Sequence, residues 1–146
     1  MVPSEVATRI DAKLAAYEAK TGAQVVVLTI PSLEGEAIED YSVRVASTWK
    51  LGRQDKDNGV LLLVAQSDRK MRIEVGYGLE PVLTDLATGR ILDQIVRAKF
   101  RGGDFGGGIE AGVDGILAVL EGSPEAASLT SASSSPPVPV SSALMV

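Results

Sequence analysis

The sequence has 146 residues, of which 45% are hydrophobic and 23% charged, and its net charge is −5. This length and composition are typical of one globular domain that can bury a hydrophobic core. The absence of histidine and cysteine excludes Ser-His-Asp and Cys-His catalytic centres, thiol redox chemistry and zinc sites with nitrogen or sulfur ligands. The acidic balance, without a basic stripe, argues against nucleic acid as a partner.

The spacing of apolar residues predicts elements in the order αβαββαα. A first helix leads to strand 24–30, which is rich in β-branched residues and is expected to be buried on both faces. A second helix follows, and its inner side is predicted to carry Ile38, Tyr41, Val45 and Trp49. Segments 60–65 and 70–75, separated by a tight turn, predict a β-hairpin.

Thr84 is predicted to cap a third helix that runs to about Phe100. Its inward side chains are predicted to be Leu86, Ile91, Ile95 and Val96. The glycine-rich segment RGGDFGGG separates this helix from a last one that ends near Glu121. The predicted fold class is therefore α/β, with helices on both faces of a small, mixed, mostly parallel sheet.

Residues 122–146 are rich in serine and proline and contain one charged residue. This composition favours a flexible linker or tail after a domain that spans residues 1–121. The apolar end, ALMV, is compatible with a natural terminus or with a spacer that precedes a membrane segment. No apolar run approaches the length of about 18 residues that marks a membrane helix.

The stretch VGYGLEPVLTD, residues 75–85, suggests a nucleotide-binding turn at first sight. However, Pro81 stands where a dinucleotide fingerprint after Gly76 and Gly78 requires its third glycine. The Walker pattern is also missing from the sequence. These differences argue against a nucleotide as the ligand.

The predicted hairpin brings this turn beside a second loop, DKDNG, because residues before its first strand lie beside residues after its second. One end of the sheet should therefore gather carboxylates, an amide and backbone carbonyls, which are the oxygen ligands of calcium or, as a second candidate, magnesium. The predicted metal ligands are Asp57, Asn58, Gly76, Glu80 and Asp85. Glu74 is expected to pair with Arg72 instead, and Asp104 to cap a helix at the opposite end.

Several motifs occur in the order and spacing of the TPM domain family, which the chain resembles from about Ser4 to Glu121. These motifs are TGAQVVVLTI, DNGVLLLVA, DRKMRIEVGYGLEPVLTD, GRILDQIV and GDFGGGI. The family is named after a thylakoid-lumen protein, a photosystem II repair factor and a levamisole-receptor modulator. The LTDYAG-like opening of many members is missing here, as expected if a signal sequence has been removed.

The resemblance implies a Rossmann-like three-layer α/β/α sandwich on the extracytoplasmic side of a membrane, in the periplasm or cell envelope. It also implies calcium binding, with Asp57 and Asn58 at the family's DNG position and Glu80 and Asp85 at its acidic positions. The expected protein is then a monomeric, membrane-anchored accessory module that interacts with membrane proteins. The first alternative is a metal-assisted acid phosphatase acting on phosphate monoesters, with Asp57 as its catalytic carboxylate. The second is a purely structural domain without a ligand.

Overall fold

The computed structural model describes residues 2–49 and 58–122. The helices and strands follow the predicted order αβαββαα: α1 (Ser4–Thr21), β1 (Gln24–Ile30), α2 (Ile38–Thr48), β2 (Gly59–Ala65), β3 (Lys70–Val75), α3 (Asp85–Arg90), a π-helix (Ile91–Val96), α4 (Arg97–Arg101) and α5 (Phe105–Glu121). Ile91 and Arg97 have right-handed helical dihedral angles, so α3, the π-helix and α4 form one continuous stretch, 85–101. This stretch is the third helix of the sequence prediction. The predicted tail lies outside the described residues apart from Gly122.

The described sheet has β2 at its centre, paired in parallel with β1 and antiparallel with β3. Every residue of β2 is buried, as a strand covered on both faces must be. Its side chains alternate between two hydrophobic cores: Val60, Leu62 and Val64 enter the first, while Leu61, Leu63 and Ala65 enter the second. The predicted three-layer α/β/α arrangement with a small mixed sheet is therefore confirmed.

The two cores are covered by different helices. The first core is the larger one and contains residues of α1, the stretch 85–101 and α5. The second contains Leu33 and Ile38, with Tyr41 and Val45 of α2 packed against it. Along residues 2–49 and 58–122, no helix is both long and apolar enough to cross a membrane.

Three sequence predictions about burial are wrong in detail. Strand β1 is only half-buried, with Val25 and Ile30 as its buried members, because it pairs with β2 alone in the described sheet. Leu86 is 43% exposed and Trp49 is 48% exposed. Leu86 points outward because the buried stripe at the start of this helix uses Leu83, Ala87 and Ile91, at four-residue spacing.

Glycines allow α5 to lie close to the stretch 85–101. A Cβ atom on Gly112 would lie 2.6 Å from Cγ2 of Val96, and one on Gly108 would lie 2.6 Å from the ring of Phe100. Such distances are too short for real contacts, so larger residues at these positions would force the helices apart. Close helix packing thus explains Gly108 and Gly112 of α5.

Candidate functional site

Asp57, the first predicted metal ligand, lies outside the described residues, whereas the adjacent Asn58 is described and buried. Asn58 precedes β2 and is linked to the start of β1. Its backbone carbonyl accepts a hydrogen bond from the backbone N–H of Gln24 at 3.1 Å. Its side-chain Nδ2 donates to the carbonyl of Gly22 at 3.3 Å. These two bonds hold Asn58 against the αL end of α1, where Gly22 has φ 82°.

Gly76 lies beside Gly59, the residue that follows Asn58. The backbone N–H of Gly76 donates to the carbonyl of Gly59 at 2.8 Å. This bond extends the antiparallel register in which Val60 faces Val75. The hairpin thus joins the end of DKDNG to the beginning of VGYGLEPVLTD, as the sequence predicts.

The turn after Gly76 is closed by its own backbone hydrogen bonds. The Gly76 carbonyl accepts from the N–H of Leu79 at 3.0 Å, and the Leu79 carbonyl accepts from the N–H groups of Val82 and Leu83. Gly76 and Gly78 both have negative φ angles. The Gly76 carbonyl is therefore already hydrogen-bonded within the turn, and a cation would have to use its second lone pair.

The two acidic residues of the turn segment are both solvent-exposed. Glu80 lies within the turn, and Asp85 is the first residue of α3, directly after the N-cap Thr84. The hydroxyl of Thr84 accepts a hydrogen bond from the N–H of Ala87 at 3.2 Å, which confirms the predicted cap. Asp85 in this first turn also interacts favourably with the helix dipole.

Asp85 lines a pocket of about 300 Å³ that also includes Glu39 of α2 and Arg72 of β3. Asn58, Gly76 and Glu80 are not part of its lining. Within residues 2–49 and 58–122, no three acidic side chains form a group that could hold a metal ion.

The predictions for Glu74 and Asp104 agree with the structure. The guanidinium Nε of Arg72 donates to Oε1 of Glu74 at 3.1 Å, and the hydroxyl of the buried Ser42 lies 3.2 Å from the same oxygen. Asp104 caps α5, since its Oδ1 accepts from the N–H of Gly107 at 3.0 Å. Both carboxylates therefore have structural partners within the fold.

The sequence analysis missed an apolar surface in the same turn segment. Three of the five large hydrophobic side chains that are exposed in the described residues lie between positions 77 and 86. They are Tyr77, Val82 and Leu86, with 79%, 46% and 43% of their surfaces exposed. A tyrosine between two glycines was the available signal, because such a residue has no neighbouring side chain in sequence to cover it.

Comparisons with known proteins agree with this description. The chain matches the family model of the TPM domain over residues 1–119. Its fold is similar to the solution structure of the N-terminal domain of a protein from P. gingivalis, with 31% identity, a TM-score of 0.77, and 85% of this chain and 79% of that chain covered.

Two further solution structures share the fold. The BA42 protein of Bizionia argentinensis has 22% identity and a TM-score of 0.69, with 84% of this chain and 83% of that chain covered. The N-terminal domain of the cg2496 protein of Corynebacterium glutamicum has 17% identity and a TM-score of 0.62, with 94% and 80% covered. No curated protein matched the sequence. The family match, the fold and the shared motifs together establish that this chain belongs to the TPM domain family.

Proposed function

We propose that this chain is an extracytoplasmic calcium-binding module that assists the assembly or maintenance of membrane proteins. Magnesium is the second candidate ion. The monomeric domain would be joined to the membrane through the serine- and proline-rich segment that follows it. The proposed location follows from the resemblance to the family, and the proposed ion from the oxygen-rich end of the sheet.

The observation that carries the proposal is the hydrogen bond from the Gly76 N–H to the Gly59 carbonyl. This bond ties the beginning of the turn that carries Glu80 to Gly59, the last residue of the DNG segment, so the backbone at these two places belongs to one end of the sheet. Calcium takes six to eight oxygen ligands from carboxylates, amides, carbonyls and water. The residues that would hold it are Asp57, Asn58, Gly76, Glu80 and Asp85.

The exposed apolar side chains support a role in interaction. Tyr77, Val82 and Leu86 are interleaved in sequence with Glu80 and Asp85. Contiguous exposed apolar patches are common where proteins bind other proteins, and the proposed role requires these three side chains to contribute to one such patch. A bound cation would neutralise the adjacent carboxylates and make this surface less repulsive to an apolar partner.

The alternative, an acid phosphatase, requires cations that neutralise a phosphate ester near the catalytic carboxylate. Arg72 is the cation that shares a pocket with Asp85, and it is paired with Glu74. A larger group of cations, Arg69, Lys70, Arg97 and Arg101, lines a different pocket, whose lining contains neither Glu80 nor Asp85. We therefore favour binding over phosphoryl chemistry.

The proposal is tested by titrating the full chain with calcium and following amide chemical shifts by NMR. We expect saturable shifts in residues 57–59 and 76–85. The Asp85→Asn variant keeps the size of the side chain and should weaken calcium binding at least tenfold. The matched control is Glu39→Gln, which changes the charge of a residue in the same pocket but removes no proposed ligand.

Unchanged calcium affinity in both Asp57→Asn and Asp85→Asn would show that the proposed ligands are wrong. Equal losses in Asp85→Asn and Glu39→Gln would indicate a general charge effect. Turnover of p-nitrophenyl phosphate that disappears in Asp57→Asn would favour the phosphatase alternative.

A further inference from the structure

A second pocket, of about 590 Å³, opens beside the hairpin turn that joins β2 to β3, and its lining contains none of the proposed calcium ligands. Its walls come from the ends of β2 and β3, from α4 and from the first residue of α5. Its volume is within the range of small-molecule binding pockets. The proposed function makes no use of it.

The pocket is strongly cationic although the protein is acidic overall. Four of its lining residues are cations and none is acidic: Arg69, Lys70, Arg97 and Arg101. Arg97 forms an ion pair with Asp93, one turn earlier in the same helical stretch. The side chains of the other three make no hydrogen bond or ion pair with residues 2–49 or 58–122. Like charges gathered on a concave surface repel one another and attract anions.

Asp68, the acidic residue of the hairpin turn, does not line this pocket. The Oδ2 atom of Asp68 accepts a hydrogen bond from the N–H of Leu33 at 2.6 Å. Its carboxylate thus anchors the turn to the opposite core and is not part of the pocket lining. The following residue, Arg69, has a left-handed backbone with φ 54°. This conformation closes the hairpin turn, in which the N–H of Arg69 donates to the carbonyl of Gln66 at 3.3 Å, and it costs roughly 1 kcal/mol outside glycine.

Two aromatic rings form a fixed apolar wall beside these cations. Phe100 and Phe105 are stacked, with ring centroids 4.6 Å apart and an angle of 16° between the planes. The ring of Phe100 also lies against Gly108, where there is no room for a Cβ atom. Both rings line the pocket while remaining half-buried, so part of each ring is accessible to a ligand.

We propose that this pocket binds a small, soluble, amphiphilic anion, with a phosphate or carboxylate head on an aromatic or acyl body. The head would contact Arg69, Lys70 and Arg101, because guanidinium groups bind oxyanions through two parallel hydrogen bonds. The body would lie against Phe100 and Phe105. Tight binding requires both the cations and the apolar wall, since exposed cations by themselves bind isolated anions weakly in water.

The test uses the full chain in the presence of EDTA, so that its result is independent of calcium. The probes are 2-naphthyl phosphate and 2-naphthoate, compared with neutral 2-naphthol and with inorganic phosphate, and binding is followed by amide chemical shifts. We expect both naphthyl anions to shift residues 64–71 and 97–105. 2-Naphthol and inorganic phosphate should each bind at least tenfold more weakly.

Arg101→Gln should weaken binding of both naphthyl anions at least fivefold. The matched control is Lys99→Gln, which removes the same charge from the same helix but does not line the pocket. Thermal unfolding of both variants checks that each remains folded. Arg69→Gly serves as a second variant, since it removes the guanidinium and relieves the left-handed strain, and it should also weaken binding.

Three results would overturn the proposal. The first is an equal effect of Lys99→Gln and Arg101→Gln, and the second is equal affinity for 2-naphthol and 2-naphthyl phosphate. The third is binding to phosphatidylglycerol vesicles without binding to either soluble naphthyl anion. A difference between the phosphate and carboxylate probes would identify the preferred head group.

Discussion

The carboxylate of Glu110 lies 2.7 Å from the guanidinium of Arg9, and this ion pair joins α5 to α1. Lys13 reaches the same carboxylate at 2.9 Å and also Asp114 at 2.9 Å. These two helices are far apart in sequence, and both contribute residues to the first core. The hydrogen bonds from Arg9 and then Lys13 lower the pKa of Glu110 from its ordinary 4.5 to about 2.

This lowered pKa predicts a pH-dependent contribution to stability. A carboxylate with a lower pKa in the folded state stabilises the fold above its unfolded pKa, and this contribution is lost as the pH falls from 4.5 to about 2. Thermal unfolding between pH 2 and pH 6 should show a smaller loss on acidification for Glu110→Gln than for the unmodified protein. Asp11→Asn, at an exposed position of α1, is the control and should keep the original pH dependence.

The glycines of the helices predict opposite effects for the same substitution. Gly112→Ala should lower the free energy of unfolding by about 1–2 kcal/mol, because the new Cβ would meet the stiff side chain of the buried Val96 at 2.6 Å. Gly89→Ala has nothing within 4 Å of its new Cβ and should raise the free energy by about 0.5–1 kcal/mol. Urea denaturation of the two variants measures both changes. Equal effects would contradict close helix packing at Gly112.

The cap at Asp104 predicts a structural rather than a metal-binding role. Asp104→Ala should lower the free energy of unfolding by about 1 kcal/mol, because the N–H of Gly107 loses its acceptor. Asp104→Asn retains an acceptor oxygen and should cost only a few tenths of a kcal/mol. Neither variant should alter a calcium titration. A change in calcium affinity with Asp104→Asn would place this loop in a metal site.

Calcium binding also predicts a change in stability. A ligand that binds only the folded protein, at a free concentration of 100 times its Kd, stabilises it by about 2.7 kcal/mol. The thermal midpoint should therefore rise with added calcium and return to its original value with EDTA. Asp85→Asn should reduce this rise, whereas Glu39→Gln should not. An equal rise with potassium chloride at the same ionic strength would indicate charge screening instead.

Part of the candidate arrangement was predictable from sequence because a hairpin has a fixed geometry. Two strands joined by a tight turn must bring the residue before the first beside the residue after the second. The bond between Gly76 and Gly59 confirms this consequence. The pocket that the Asp85 side chain lines was not predictable in this way, because it depends on how the helix 85–101 packs against the sheet. The structure brings Asp85 into a pocket with Arg72 and Glu39.

The order of the elements, the buried central strand, the cap at Thr84 and the family were all predictable from the amino-acid sequence. These features depend on local periodicity and on residue chemistry within a few positions. The packing of the folded chain was needed to learn that α5 approaches the stretch 85–101 through its glycines and that Leu86 is exposed. It also decided that cations from the hairpin turn and from α4 share one pocket. These contacts join side chains that are distant in sequence, and a local sequence pattern does not specify which helix face packs against which strand end.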